Sequence, residues 1–333
     1  MNDGLALVEH GGKLRAAAQH YGIPLADWVD LSTGINPHGW PLPAIPAAAW
    51  ARLPEDEDEL VAVAKAFYGA PDLLPVAGSQ AAIQTLPQLR GRSRVAILSP
   101  AYAEHEHAWR KAGHEVVPVA PAQVAEVVPE VDVVLLVNPN NPTGHTFDAD
   151  QLLQWRTELA ARGGWLIVDE AFMDVTPARS IAAHTDQAGL IVLRSLGKFF
   201  GLAGARVGFV LGPSALLQQM RALLGPWSVA GPSRYVALAA LADADWHAHM
   251  RQQLPQHSAR LAALLTQHGL APSGGTALFQ SVVMDGADSL HEQLARQGIF
   301  TRRFSDAPRV RFGLPGDESQ WQRLDSALAR VSL

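Results

Sequence analysis

The sequence predicts an α/β protein, with a mostly parallel central sheet covered by helices and a smaller α+β domain. Two observations carry this prediction. Continuous apolar segments of strand length alternate with helical segments over residues 56–224, a pattern typical of parallel sheets buried on both faces. Beyond a segment with Gly and Pro at residues 225–232, Ala-, Gln- and His-containing helices precede short strands. This change in composition and in the order of predicted elements indicates a second, smaller unit.

The elements of the first unit are assigned in chain order. The first 50 residues are rich in Gly and Pro and predict one short helix, at residues 13–20. A helix over residues 56–68 has its apolar side chains at helical spacing. Further helices are expected near residues 79–89, 103–112, 149–161 and 214–224. Strands are expected at residues 95–99, 133–137, 165–168, 190–193 and 207–211.

The C-terminal part predicts the smaller α+β unit. Its helices are expected at residues 233–242, 244–268, 289–297 and 318–330. Its strands are expected near residues 278–284, 299–303 and 309–312. No internal repeat relates this unit to the first one, so we expect two different architectures.

Composition narrows the classes of function. With 333 residues, 48% hydrophobic and 17% charged, the chain has an ordinary globular composition and is long enough for two domains. The net charge of −6 argues against a general nucleic-acid binder. The absence of cysteine excludes disulfides, thiolate catalysis and cysteine-ligated metals, and no metal site is predicted. Without a signal-peptide pattern or an apolar run of roughly 20 residues, we expect a cytoplasmic protein without membrane partners.

Ser195-Leu196-Gly197-Lys198, with Arg206 eight residues further on, follows a predicted strand and opens a glycine-rich turn. A lysine that leaves a rigid sheet can be held and desolvated, which lowers the pKa of its amine as imine formation requires. Ser195 and Arg206 are placed to clamp an anion beside it. Taken by itself, a Ser-x-x-Lys motif is more often a surface lysine after a strand, so the interpretation depends on the rest of the chain.

Two further elements precede the lysine. Gly78, Ser79 and Gln80 open a predicted helix, and the free N–H groups and positive dipole end of a helix favour a phosphate. The alternative is an ordinary helix start with Ser79 as its N-cap. Tyr102 follows a predicted strand, where its ring can stack on a planar ligand. A tyrosine of the core or rim is the alternative there.

Two polar groups follow other strands. Asn141 lies in Asn138-Pro139-Asn140-Asn141-Pro142-Thr143-Gly144, a rigid loop whose amide can donate to a phenolic oxygen or simply form a structural turn. Asp169 ends a buried strand, where a carboxylate is costly unless a group such as a protonated ring nitrogen pairs with it. A metal-binding or ATPase-type acidic pair is the alternative, but no glycine-rich loop ending in Gly-Lys-Ser/Thr supports it.

In chain order, these residues specify one ligand. They provide a phosphate cup, a stacking aromatic, a hydroxyl partner, a pyridinium counter-ion and an imine-forming lysine. The members are, in the same order, Gly78, Ser79, Gln80, Ser195 and Arg206; Tyr102; Asn141; Asp169; and Lys198. This set describes the binding of pyridoxal 5′-phosphate (PLP), for which the protein supplies orientation and electrostatics. Lys198 and Asp169 are predicted to be catalytic.

Over essentially its whole length the chain resembles the fold type I PLP enzymes of the class I/II aminotransferase superfamily. The resemblance implies a large domain that binds the cofactor, a small domain joining both chain ends, and a homodimer with active sites at its interface. The implied boundaries are residues 1–50 for an N-terminal segment packing with the small domain, 51–226 for the large domain and 227–333 for the C-terminal small domain.

Within this superfamily, several motifs resemble the threonine-phosphate decarboxylases of cobalamin biosynthesis. They are Glu9-His10-Gly11-Gly12, Tyr21-Gly22-Ile23-Pro24, Leu31-Ser32-Thr33-Gly34-Ile35-Asn36-Pro37 and Ser195-Leu196-Gly197-Lys198-Phe199-Phe200-Gly201-Leu202-Ala203-Gly204. The resemblance implies decarboxylation of L-threonine O-3-phosphate to (R)-1-amino-2-propanol O-2-phosphate and CO2. Histidinol-phosphate aminotransferase is the close relative, so an aminotransferase acting on a phosphorylated amino substrate is the alternative. A catalytically silent PLP-binding protein is a hypothesis of a different class.

A phosphorylated substrate needs anion-binding groups beyond the cofactor cup. The residues predicted to bind substrate are His10, Gly34, Ile35, Asn141, Arg302, Arg303 and Arg311, with Arg309 as a further candidate. Arg311 matches the family arginine that binds a substrate carboxylate, and its planar fork suits a carboxylate or a phosphate. For each arginine the alternative is a solvated strand residue, and for His10 it is a structural role.

Two residues depart from the aminotransferase pattern. Phe172 stands where many relatives have a tyrosine, which leaves Asn141 as the side-chain donor to the phenolic oxygen. Leu53 stands where many relatives have a tyrosine that reaches the partner subunit's cofactor phosphate. Neither departure abolishes the site. Which Cα bond breaks is predicted to depend on whether Arg311 holds the substrate carboxylate or the substrate phosphate.

Overall fold

The structure is a computed structural model that describes residues 11–305 and 307–332. Its strands are β1 (Val29–Asp30), β2 (Leu73–Val76), β3 (Arg94–Leu98), β4 (Glu115–Val119), β5 (Val133–Val137), β6 (Trp165–Asp169), β7 (Leu190–Ser195), β8 (Gly208–Leu211), β9 (Gly274–Thr276), β10 (Phe279–Val283), β11 (Ile299–Phe300), β12 (Arg302–Phe304) and β13 (Arg309–Gly313). Its α-helices are α1 (Leu14–Tyr21), α2 (Ala47–Ala51), α3 (Leu60–Tyr68), α4 (Ser79–Thr85), α5 (Glu104–Lys111), α6 (Val124–Val127), α7 (Ala149–Ala160), α8 (Ser214–Leu224), α9 (Gly231–Ala242), α10 (Ala244–Gln267), α11 (Ala287–Ala295) and α12 (Glu318–Leu328).

The central sheet has the strand order β2-β8-β7-β6-β5-β3-β4. From β7 to β4 all neighbours are parallel. Only β8 among these strands runs against its neighbours, since it pairs antiparallel with both β2 and β7. The prediction of an α/β fold with a mostly parallel sheet is therefore confirmed, with one antiparallel strand inserted near an edge.

The strand predictions omit both edges of this sheet, β2 and β4. Each of these strands contains a proline, Pro75 or Pro118. Proline cannot donate to a ladder hydrogen bond, so it weakens the strand pattern, yet an edge strand tolerates it. One helix is also shorter than predicted. The α-helix expected over residues 79–89 ends at Thr85, and a 3₁₀ helix, Leu86–Leu89, follows it.

The smaller unit contains an antiparallel sheet with the order β12-β13-β10-β9. The strand predicted at residues 299–303 is divided into β11 and β12, because Thr301 lies between them. Both chain ends meet here. β1 pairs parallel with β11, and the Gly313 N–H donates to the Leu31 carbonyl at 2.8 Å. The boundaries at residues 50/51 and 226/227 remain predictions.

The core lies on both faces of the central sheet. Val134 and Val168 belong to the apolar cluster on one face, and Leu135 and Ile167 to the cluster on the other. Burial of both faces explains why the inner strands are continuously apolar. Among residues 11–305 and 307–332, no helix has the length and apolarity needed to cross a membrane.

Candidate active site

Polar residues predicted for the site gather where the inner strands end. Asp169 is the last residue of β6, and Ser195 is the last residue of β7, three positions before Lys198. Tyr102 and Asn141 follow β3 and β5. Because these strands are parallel, their carboxyl ends share one edge, which is where α/β sheets bind ligands.

The Lys198 amine is desolvated. Its Nζ lies 5.5 Å from the centre of the Phe172 ring, and none of the described residues accepts a hydrogen bond from it. Burial lowers the pKa of this amine to about 8, and the neighbouring Arg311 charge acts in the same direction, against the carboxylate of Asp169. An amine with this pKa is partly unprotonated near neutral pH and can act as a nucleophile.

Asp169 is buried and held from two sides. Its Oδ2 lies 2.9 Å from Nε2 of His105, and its Oδ1 accepts a hydrogen bond from the Ala171 N–H at 3.0 Å. His105 is 1% exposed. Sequence reasoning missed His105. The only signal available in the sequence was its position three residues after Tyr102, and the structure makes it the second residue of α5. The carboxylate is thus oriented before any ligand binds.

Arg206 lies over the start of α4. A Cβ added to Gly78 would lie 2.5 Å from Nη2 of Arg206, so the guanidinium packs directly on this turn, and the φ of +72° at Gly78 favours glycine. A Cβ on Gly208 would meet the Ser79 amide nitrogen at 2.5 Å. Ser195 lies at the end of the adjoining strand, where its Oγ accepts a hydrogen bond from the Gly197 N–H at 3.2 Å. These groups form a narrow cradle of backbone amides, a hydroxyl and a guanidinium.

The side chain of Gln80 has a different neighbour from the one expected of a phosphate cup. Its Nε2 donates to Oε2 of Glu104 at 2.5 Å, and its Oε1 accepts a hydrogen bond from the Tyr102 hydroxyl at 3.4 Å. Only the backbone amide of Gln80 is left for the predicted role. Burial, together with the charges of Glu104 and Asp169, raises the pKa of Tyr102 to about 12, so its hydroxyl stays protonated.

Arg311 is a buried cation. It donates from Nη1 to Oδ1 of Asn141 and from Nη2 to the Ser32 carbonyl at 2.8 Å, and it lies 5.0 Å from the centre of the Phe279 ring. Among the described residues no carboxylate forms an ion pair with it. Burial lowers the pKa of Arg311 to about 9, with Arg302 as the next cause. A buried guanidinium without an acidic partner favours an anionic ligand.

The structure separates the other predicted arginines. Arg302 is directly opposite Arg311 across the β12–β13 pair, so both occupy one face of the sheet. Arg309 shares that face and donates from Nη1 to Oγ of Ser281 at 3.0 Å. Arg303 occupies the opposite face, where Nη1 lies 3.2 Å from Oδ2 of Asp288. Arg302 and Arg303 both border a cavity of about 620 Å³ between α1 and α11.

The loop after β1 closes over the lysine turn. The Asn36 N–H donates to the Lys198 carbonyl at 3.0 Å, and Nδ2 of Asn36 donates to the Phe199 carbonyl at 2.8 Å. Two positions earlier, a Cβ on Gly34 would lie 3.0 Å from both the Phe172 and Phe279 rings. Ile35 lies between Gly34 and Asn36 in this loop. His10 lies outside the described residues.

The profile for aminotransferase class I and II matches residues 27–328. The chain belongs to this family. A threonine-phosphate decarboxylase of Pseudomonas aeruginosa is 56% identical to it, with 97% of each chain covered. A threonine-phosphate decarboxylase of Sinorhizobium sp is 42% identical, covering 98% of this chain and 99% of the relative. In fold, the chain is similar to the structure of histidinol-phosphate aminotransferase from Sinorhizobium meliloti in complex with pyridoxal-5′-phosphate. The TM-score is 0.83 at 20% identity, and the match covers 97% of this chain and 94% of that one.

Proposed function

We propose that this chain is a PLP-dependent carboxy-lyase that converts L-threonine O-3-phosphate to (R)-1-amino-2-propanol O-2-phosphate and CO2, for the aminopropanol arm of cobalamin. The observation that carries the proposal is Arg311, a buried cation without an acidic partner among the described residues. It acts electrostatically on the desolvated amine of Lys198. The two curated relatives that carry this activity in their names support it.

The residues present fit PLP. The cradle of Gly78, Ser79, Ser195 and Arg206 has the chemistry of a phosphate site, with a guanidinium that no acid pairs among the described residues. We propose that Asp169 holds a proton on the ring nitrogen and that Asn141 donates to the phenolic oxygen. Oδ1 of Asn141 already accepts from Arg311, which directs the amide nitrogen elsewhere. Tyr102 would stack on the ring, and the Gln80 backbone amide completes the cup.

PLP, when bound, supplies an electron sink for the pair left on the substrate Cα. The protein decides which Cα bond stands perpendicular to the ring. Arg302 and Arg311 lie side by side on one face of the small sheet, and two adjacent cations match a phosphate dianion better than a carboxylate monoanion. We therefore propose that Arg311 and Arg302 hold the substrate phosphate, with Gly34 and Ile35 beside it, leaving the carboxylate free to stand upright. The substrate-binding role of His10 stays a prediction from the sequence.

Lys198 then has a second role. Its amine carries a pKa of about 8, so at neutral pH it can hold a proton or release it with little cost. We propose that it returns a proton to Cα after CO2 has left. We also propose that the apolar Phe172 ring, 5.5 Å from Nζ, keeps water from the substrate carboxylate, because loss of solvation favours loss of CO2.

An aminotransferase is the alternative, and it requires Arg311 to hold the carboxylate instead. The distinguishing experiment incubates the purified protein with threonine phosphate and measures CO2 and the amine product, without added 2-oxoglutarate. Stoichiometric release of both is expected. A stoichiometric conversion of the cofactor to pyridoxamine phosphate by glutamate or histidinol phosphate would contradict the lyase. Turnover of any kind would exclude a silent binding protein.

We also propose a homodimer. Large apolar side chains are exposed on α2, α8 and α9 and in the segments that follow α2 and α8, and α2 packs on α9. They are Trp50, Leu53, Leu223, Trp227 and Tyr235. Trp50 is 68% exposed and Leu53 64%, and patches of this kind mark interfaces. The mass of the protein in solution, measured by light scattering, tests the homodimer.

We also propose the domain division into residues 1–50, 51–226 and 227–333. A cytoplasmic location remains a prediction.

A further inference from the structure

A buried ion cluster lies behind the site, between the strands that carry Asp169 and lead to Lys198. Arg194 on β7 donates from Nη1 to Oε2 of Glu170 and from Nη2 to Oδ1 of Asp174, both at 2.5 Å. The three side chains are at most 2% exposed. At this depth a charge is tolerated only when it is paired, so the three groups constrain one another's positions.

The two acids mark the ends of one turn. Glu170 directly follows Asp169, Asp174 comes four residues later, and Phe172 lies midway between the acids. The Met173 N–H donates to the Glu170 carbonyl at 3.0 Å, which closes the turn. The Arg194 guanidinium therefore binds both ends of the segment that carries Phe172.

The same guanidinium is tied to the lysine. Arg194 lies four residues before Lys198, and the Glu170 N–H donates to the carbonyl of Leu193 at 2.9 Å. The Phe172 ring centre lies 5.5 Å from Nζ of Lys198. A shift of the turn relative to β7 would therefore change what covers the amine.

The cluster is held by contacts beyond the Arg194 pair. A second cation, Arg251, also acts on the Asp174 carboxyl, so two guanidiniums face the two acids. The acids are further anchored: Oε2 of Glu170 accepts a hydrogen bond from the Ser180 hydroxyl at 2.5 Å, and the Asp174 carbonyl accepts one from Nε of Arg251 at 2.9 Å. The guanidinium also stacks on the Tyr68 ring, 4.5 Å from its centre. These contacts hold the guanidinium and both acids in one arrangement.

We propose that Arg194 is a positioning residue: by holding Glu170 and Asp174 together, it sets the Phe172 ring against the amine of Lys198 and keeps water from that amine. The inference rests on the proposed function only in taking Lys198 as the lysine that binds PLP. It assigns no contact with substrate to Arg194.

The test measures ionisation of the Lys198 amine in the full-length, cofactor-free protein. The amine is labelled with an amine-reactive reagent across a pH series, and the Lys198 peptide is quantified by mass spectrometry. Arg194→Lys keeps the charge but cannot bridge two carboxylates as a fork. We expect the midpoint of labelling to rise by about one pH unit as water reaches the amine. A midpoint equal to that of the wild type would overturn the proposal, because neutralisation would then suffice.

Two further variants separate positioning from stability. Glu170→Gln leaves a neutral Arg194–Asp174 pair, so it should fold, but either orientation of its amide turns a donor toward a donor, the Arg194 Nη1 or the Ile181 N–H. It should raise the midpoint as well. Leu324→Ala, at a buried site on α12, should lower Tm and leave the midpoint unchanged. If the labelling midpoint of Lys198 equals the wild-type value in all three variants, the role of Arg194 is purely structural. The labelling needs no substrate, so its outcome is independent of whether decarboxylation is observed.

Discussion

The two halves of the candidate site are built in different ways. Asp169 ends β6 and Lys198 follows the adjacent parallel strand β7, so their proximity is a consequence of chain order and sheet architecture. Arg302 and Arg311 lie on antiparallel strands of the smaller sheet, where a slip of one residue would turn each side chain to the opposite face. Small errors in predicted element boundaries therefore leave the cofactor half intact, whereas the substrate half depends on strand register.

The strongest way to break the cofactor half is Lys198→Ala. Removing the Lys198 amine, which lies beside Phe172 and feels the charges of Asp169 and Arg311, should abolish covalent attachment of PLP and reduce kcat by about 1,000-fold or more. Visible absorbance of the PLP-loaded protein and CO2 release measure the two effects. Retention of the wild-type absorbance band in the variant would place the reactive lysine elsewhere.

Arg311→Lys tests the substrate half. Lysine is a point charge that cannot donate to Asn141, Ser32 and a ligand in one plane, so kcat/KM for threonine phosphate should fall about 100-fold, mostly through KM. Arg260→Lys is the matched control, since Arg260 lies in the same unit and pairs with Glu318 on the surface. An unchanged KM in Arg311→Lys would remove Arg311 from the phosphate site.

His105→Asn asks how far the cofactor half depends on a residue outside the predicted set. Without the hydrogen bond to Oδ2, Asp169 should be held less firmly, and PLP should dissociate about tenfold more readily. His114→Asn is the control, because His114 is also buried, and its ring bonds to the Pro87 carbonyl at 2.9 Å rather than to Asp169. If both variants bind PLP as the wild type does, His105 has no positioning role.

The smallest effect is a pH dependence. Because burial lowers the pKa of Lys198 to about 8, the unprotonated fraction grows as pH rises through that value. The rate at which cofactor-free protein captures PLP should rise about fivefold from pH 7 to 8 and less than about twofold from pH 8 to 9. Stopped-flow absorbance measures this rate. A tenfold rise at every step up to pH 10 would indicate an unperturbed, solvated lysine.

Particular residues show where sequence reasoning succeeds and where it stops. The motif around Lys198 and the apolar strands before Asp169 were sufficient to predict the α/β fold and the PLP family. The edge strands β2 and β4 escaped prediction because Pro75 and Pro118 obscure them. His105 escaped because its role depends on how α5 packs against β6, and a histidine in a helix carries no signal of that packing. Gln80 was assigned to the cup without knowledge of Glu104, to which its amide is bonded.

The amino-acid sequence by itself determined the order of chemical groups along the chain: a glycine turn, an aromatic, an amide, an acid and a lysine, each following an apolar strand. This order suffices because a parallel sheet places all those strand ends on one edge. Only the tertiary structure decided that Arg302 faces Arg311 while Arg303 pairs with Asp288 on the other face. It also placed Arg194 between the two acids behind the lysine. Contacts between residues far apart in the chain depend on strand register and helix packing, which no local pattern of side chains specifies.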